Sequence, residues 1–242
     1  VSKKRTFKLI IMKTFLSVVL FIAISHLGFA QSSDMQKSIG AIKKNLSESA
    51  AKMRNYEWIE TTTVYHNGEV KSKTTKQCYY GVDGKLNKVA VGEPAKPAKS
   101  PGGIRGKAAA NKKQDIDEYM KKCVEKIHAY LPPKSDKIQA IVASGKASIS
   151  PLAPGKVYKV DLPDYLQAGD KVSITMDNSQ GLLKEIGVTT YIKDKNDKVD
   201  VLVKYNSLPD MTSFPGETTL DAPSQKVKVV VTNTGHKNAG VK

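Results

Sequence analysis

Between residues 146 and 234 the chain is a nearly unbroken series of short strand-type segments, and this constrains the fold more than any other feature. The segments read KASIS, KVYKVDL, DKVSITMD, LLKEIGVTTYIK, KVDVLVKYNSL, GETTLDA and QKVKVVVTNT. Pro-Gly, Ala-Gly, Asp-Asn, Lys-Asn-Asp and Asp-Ala-Pro turns separate them. Apolar residues alternate along Val172-Ile174-Met176 and along Val199-Val201-Val203-Tyr205, which is the period of a half-buried strand. Connections this short cannot hold the crossovers of a parallel sheet, so the sheet is antiparallel.

A second group of strands precedes it. YEWIETTTVYH, residues 56–66, is followed by Asn67-Gly68 and then by EVKSKTTKQCYY. Asn-Gly between two such runs marks a two-residue hairpin, because both central positions take positive φ. An unbroken ladder from that turn pairs His66 with Glu69, Val64 with Lys71 and Trp58 with Gln77. GVDG makes the next turn and KLNKVAV a third strand, so about ten strands are expected in all, enough to curl or close.

Helical spacing appears twice. In residues 33–54 the apolar positions Met35, Ile39, Ile42, Leu46, Ala50 and Met53 form one stripe, with Ser33 placed as N-cap. In residues 115–133 Ile116, Met120, Cys123, Ile127 and Tyr130 form another, closed by Pro132-Pro133. Ser135-Asp136 can cap a further short helix that ends at Gly145. Between the meander and the second stripe, residues 92–114 are rich in Pro, Gly, Ala and Lys and are read as a flexible basic loop. Its cations Lys96, Lys99, Arg105, Lys107, Lys112 and Lys113 suit an electrostatic arm for an anionic surface, or a solvated insertion.

The first 30 residues have the plan of a secretory signal peptide. Lys3, Lys4, Arg5, Lys8 and Lys13 form an acid-free basic flank, Phe15 to Ile24 is almost wholly apolar, and Gly28-Phe29-Ala30 suits cleavage between Ala30 and Gln31. Met12 offers an internal start, and retention of the segment as an anchor is the competing reading. The expected compartment is periplasmic or extracellular, with residues 31–242 as one domain. Taking the five leader cations from 39 leaves 34 basic against 23 acidic residues, a formal charge near +11. Such a charge favours polyanions such as a membrane surface or an envelope polymer, and export argues against nucleic acid.

In an oxidising compartment two cysteines point to a disulfide. Cys78 lies on a strand and Cys123 on the buried stripe of a helix, 45 residues apart. A bridge between them would stabilise the fold by about 4 kcal/mol on the chain-entropy model. Two separate buried thiols are the alternative.

Catalytic signatures are missing. Ser49-Ala-Ala-Lys52 has the Ser-x-x-Lys spacing but sits on a plain amphipathic helix, without a Lys-Thr-Gly partner. Asp194-Lys-Asn196-Asp197 lacks the glycine and closing glutamate of a calcium loop and reads as a hairpin turn. His66 flanks a turn, His128 lies beside a helix stripe and His236 falls in a polar tail, so no metal set is expected. No cofactor motif is present, and an enzyme is not expected.

The order of elements, the Tyr56-Glu57-Trp58-Ile59-Glu60 opening of the meander and the GVDGKL turn resemble the LolA/LolB-like proteins. The resemblance implies an α+β fold that is mainly antiparallel: a curved sheet or incomplete barrel of about ten strands, with an N-terminal and a mid-chain helix packed on it. It also implies a carrier of lipoprotein or other lipid-like cargo. Trp58, Val64, Val172, Ile174 and Met176 would line the cavity, and Met35, Ile39, Ile42 and Leu46 would form its lid. The same residues could instead make a filled core. Two functions are therefore open: an exported carrier of an apolar or amphipathic ligand, and an envelope protein that binds an anionic polymer or partner through its basic surface.

Overall fold

The computed structural model describes residues 44–92 and 103–240. The expected leader with its Ala30–Gln31 cleavage site, Ser33, Met35, Ile39, Ile42, Lys96 and Lys99 lie outside them. Helix α1 occupies residues 44–52 and passes through a short 3-10 turn into β1 (Tyr56–His66). Then come β2 (Glu69–Tyr80), β3 (Leu86–Ala90), α2 (Gly103–His128), α3 (Ser135–Ala143), β4 (Ser148–Ala153), β5 (Val157–Pro163), β6 (Lys171–Asp177), β7 (Leu182–Tyr191), β8 (Lys198–Ser207), β9 (Ser213–Ala222) and β10 (Val227–Asn238).

The ten strands form one antiparallel sheet in the order β3-β2-β1-β10-β9-β8-β7-β6-β5-β4, so the fold is α+β and the sheet remains open. Strands adjacent in sequence are neighbours in space, with one exception. β3 and β4 stand at opposite edges, and the segment that joins them contains α2 and α3. The helices therefore cover one face of the sheet, because the chain must cross it there. The meander joins the rest through β1, which pairs along its length with β10.

Two apolar clusters lie on the covered face. The larger one unites Tyr119, Met120, Cys123 and Ile127 of α2, and Tyr130 in the turn just after it, with inward residues of β5 to β10 and with Leu46 of α1. The predicted helix stripe is thus the packed face of α2 as far as Ile127; the helix ends at His128, and Tyr130 packs from the turn beyond it. The smaller cluster holds Met53, Trp58, Cys78 and Phe214, flanked by Tyr56, Tyr80, Leu86 and Leu208.

Two expectations about local structure need correction. The basic segment is not a loop throughout: α2 begins at Gly103, so Arg105, Lys107, Lys112 and Lys113 belong to a helix of 26 residues. Ala108, Ala109 and Ala110 and the Lys, Arg and Gln around them are strong helix formers, and α2 carries them forward from its packed C-terminal half. In α3 the N-cap is Lys134, whose side chain makes no capping bond, while Gly145 does take positive φ after the helix.

The hairpin register also differs. Asn67 and Gly68 both have positive φ, and His66 pairs with Glu69 as expected. A bulge then leaves Lys71 over, so that Val64 faces Ser72 and Trp58 faces Cys78 instead of Gln77. Side chains alternate along a strand, and a shift of one residue exchanges the faces of everything beyond it. The bulge is what puts Cys78 on the covered face, with no exposed surface at all.

Candidate functional site

A cleft runs between the two apolar clusters. Its floor is the covered face of β1, β8, β9 and β10, and α2 forms one wall with Met120, Val124 and Ile127. Val201, Leu220, Val229 and Val231 line the floor; Met53, Leu86, Phe214 and Pro215 close the far wall around Trp58. The cleft encloses about 960 Å3 including open solvent at its mouth, of which about 90 Å3 is free to the centre of a water-sized molecule. Its walls are mostly apolar; the polar lining residues are Asn233 and His236, both against Trp58, Glu60 on the same strand as Trp58, His128 of α2 and Thr218 of β9.

Trp58, the sole tryptophan, is held in place by its Nε1, which donates to Asn233 Oδ1 at 3.1 Å. Asn233 Nδ2 in turn donates to the Pro215 carbonyl at 2.8 Å. His236 stacks on the indole with ring centroids 5.9 Å apart and planes 11° from parallel, and it meets Phe214 at 3.9 Å. Burial among these rings holds the imidazole pKa down at about 4, and its Nε2 is buried without a hydrogen-bond partner. His236 is therefore not in a polar tail. It lies on β10, at a register shift opposite Glu57–Ile59, next to Gly235 with φ +64°. Strict alternation from Val227, Val229 and Val231 would turn residue 235 inward; the bulge turns residue 236 inward instead. The adjacent Gly-His was the only signal of this in the sequence.

An ion pair lies beside the indole. Glu60, two residues along β1 from Trp58, is 1% exposed, and its carboxylate accepts a 2.7 Å bond from Lys88 Nζ on β3. Desolvation holds the Lys88 pKa below its ordinary value, against the opposing pull of Glu60. Glu60 lines the cleft, so a carboxylate paired with Lys88 forms part of a mostly apolar wall.

No family model matches the sequence, and no curated protein matches it. Among solved structures, the chain is similar to the crystal structure of a DUF1329 family protein from Desulfovibrio piger ATCC 29098. The identity is 10%, the TM-score 0.42, and the likeness covers 87% of this chain and 96% of that one. At that score the likeness carries no argument about fold or function.

Of the residues expected to line a cavity, Trp58 does so. Val172, Ile174 and Met176 are at most 3% exposed within the larger cluster, Leu46 is buried there too, and Val64 packs against it. These residues belong to the packed core and not to the cleft. Inward alternation identifies the covered face, but it does not show where along that face the helices leave a gap.

The expected Cys78–Cys123 bridge is not formed: both are free, buried thiols. Cys123 packs in the larger cluster under α2 and Cys78 in the smaller one beside Trp58, with the cleft running between the clusters. Burial pushes both thiols up, Cys78 to about 11 and Cys123 to about 12, which makes them poor nucleophiles.

The remaining candidate motifs have structural work. Ser49 Oγ accepts the backbone N–H of Ser213 at 2.8 Å, whereas Lys52 is exposed beside Asp210. The Asp194–Asp197 segment is the β7–β8 turn, and Asp197 accepts from Tyr119 and Ser224, tying the turn to α2. Asp170 similarly accepts from Tyr130 and from the backbone N–H groups of Tyr165, Leu166 and Gln167. Among the described residues no cluster of His, Cys, Asp and Glu could hold a metal ion, and no helix is long and apolar enough to cross a membrane.

Proposed function

We propose that this chain is an exported, periplasmic or secreted binding protein that carries an apolar or amphipathic, lipid-like ligand in the cleft beneath α2, without catalysis. One observation carries the reading. The covered face of the sheet is not filled continuously: two apolar clusters are separated by a cleft whose lining residues are mostly apolar. An apolar surface that is left open and not collapsed gives up contacts its own side chains could make, and it gains them back when a ligand enters. The excess of basic over acidic residues would bring such a carrier to an anionic membrane surface.

The test is native mass spectrometry of protein exported through its own leader and purified without detergent. Extra mass that dissociates as a lipid-like molecule is the expected result. Thr218→Trp, which fills the cleft from the floor, should retain the fold and lose that mass. A bare wild-type protein that also fails to bind added lipids would refute the reading.

A further inference from the structure

The polar residues that line the cleft decide what it can hold. Asn233, Glu60 and His236 offer a ligand nothing. Both polar atoms of the Asn233 side chain are engaged, Oδ1 by the Trp58 indole and Nδ2 by the Pro215 carbonyl. Glu60 accepts from Lys88 at 2.7 Å, at 1% and 11% exposure. His236 Nε2 has no partner but is sealed from solvent. His128, the last residue of α2, is exposed, so it stands at the rim, where a head group also meets water. Thr218 is different, because it lies on the floor. It pairs with Val203 on β8 and Val231 on β10, so its side chain stands on the covered face. It is part-buried, and its hydroxyl makes no hydrogen bond among the described residues. Unlike the orphaned Thr212 hydroxyl, it keeps surface open to solvent, and on this face that surface opens into the cleft.

The register puts Thr218 midway along the floor. Tyr119 ties α2 to Asp197, which also holds Ser224 between β9 and β10, so α2 lies at that end of the sheet. From there the floor begins with an apolar row, Val201, Leu220 and Val229 abreast. Thr218 follows about 7 Å along β9, Glu60 and Asn233 form the next row, and Trp58 stands beyond them. A hydrocarbon chain laid from α2 toward Trp58 crosses Thr218 and strips water from its hydroxyl without replacing the bond. An oxygen acceptor at that point restores it. A carboxylate there would stand one row from Glu60, whose charge Lys88 already answers, and would lose its hydration without a counter-charge of its own. An ester carbonyl accepts and brings no donor, whereas an amide or an alcohol adds a donor that must be satisfied in turn. We propose, on the reading of the cleft as a ligand site, that its ligand is an acyl ester. Its carbonyl accepts the Thr218 hydroxyl, its acyl chain lies on the apolar floor, and the alcohol part of the ester reaches the rim beside His128.

The experiment compares monooleoylglycerol, its ether analogue 1-O-oleylglycerol, which lacks only the carbonyl, and oleate. Each is titrated into the delipidated protein, with Trp58 fluorescence as the signal. Monooleoylglycerol should bind about tenfold tighter than either of the others. Thr218→Val keeps the shape of the floor and removes the hydroxyl. It should reduce the preference for the ester over the ether to about twofold or less, and bind the ether at least as tightly as the wild type does. Infrared spectra of carbonyl-labelled monooleoylglycerol on the wild type do not depend on the variant folding: the bound carbonyl band should lie at the position of a hydrogen-bonded ester. No preference for the ester in the wild type, a preference that survives Thr218→Val, or a band at the position of a free ester overturns the ester assignment and leaves the ligand-site reading standing. Failure of all three to bind overturns both.

Discussion

Acidification should destabilise this protein through His236, by an amount that can be worked out. The ring has its pKa held at about 4 against an ordinary 6.5, with burial as the cause. Above the ordinary value it is neutral in both the folded and the unfolded chain, and stability does not depend on it. Below that value the unfolded chain takes up a proton that the folded ring refuses until about pH 4, so stability falls as pH falls through this window. Full linkage would be about 3 kcal/mol. The ring is only half-buried, and solvent screening reduces the loss to about 2 kcal/mol. The assay is urea unfolding of the wild type and of His236→Phe at neutral pH and near pH 4.5, followed by the fluorescence of Trp58. Carboxylates titrate in both proteins and cancel in the comparison. The wild type should lose about 2 kcal/mol more than the variant over this range. Parallel pH profiles would refute the claim that the folded imidazole resists its proton. So would a larger loss in the variant.

Glu60→Ala should destabilise the fold by about 3 kcal/mol in the same unfolding assay, because Lys88 stays nearly buried after losing its carboxylate, and Glu60→Met with Lys88→Met should recover most of the loss. A single substitution costing less than about 1 kcal/mol would mean that the pair is hydrated. The intact mass of the purified protein should be that of the fully reduced chain, and a thiol reagent should label both cysteines only after unfolding; a mass two hydrogens lower would restore the bridge. Deletion of Lys71 should cost no more than about 1 kcal/mol, because it removes the extra residue of the bulge and leaves Ser72 opposite Val64 and Cys78 opposite Trp58. Exposure of Cys78 to the thiol reagent in that variant would show that the register beyond the bulge depends on it.

The sequence by itself determined the kinds of element and their faces. Alternation through Val172-Ile174-Met176 and Val199-Val201-Val203, the Asn67-Gly68 turn and the stripe from Met120 to Ile127 are local patterns, and each appears in the structure as strand, hairpin or packed helix face. An antiparallel α+β architecture follows from such patterns, because short connections leave few ways to arrange the strands, whereas the open edges at β3 and β4 appear only in the structure. Three things were decided only in the tertiary structure. The pairing of β1 with β10 joins segments about 170 residues apart, for which no local signal exists. The bulges at Lys71 and Gly235 are single-residue shifts, invisible in an alternating pattern, yet they bring Cys78 and His236 to either side of Trp58. The cleft itself depends on where α2 stops filling the covered face. Inward side chains such as Val172 and Val231 look alike in sequence, and only the packing of the helix buries one fully in the core and leaves the other part-buried at the wall of the cleft.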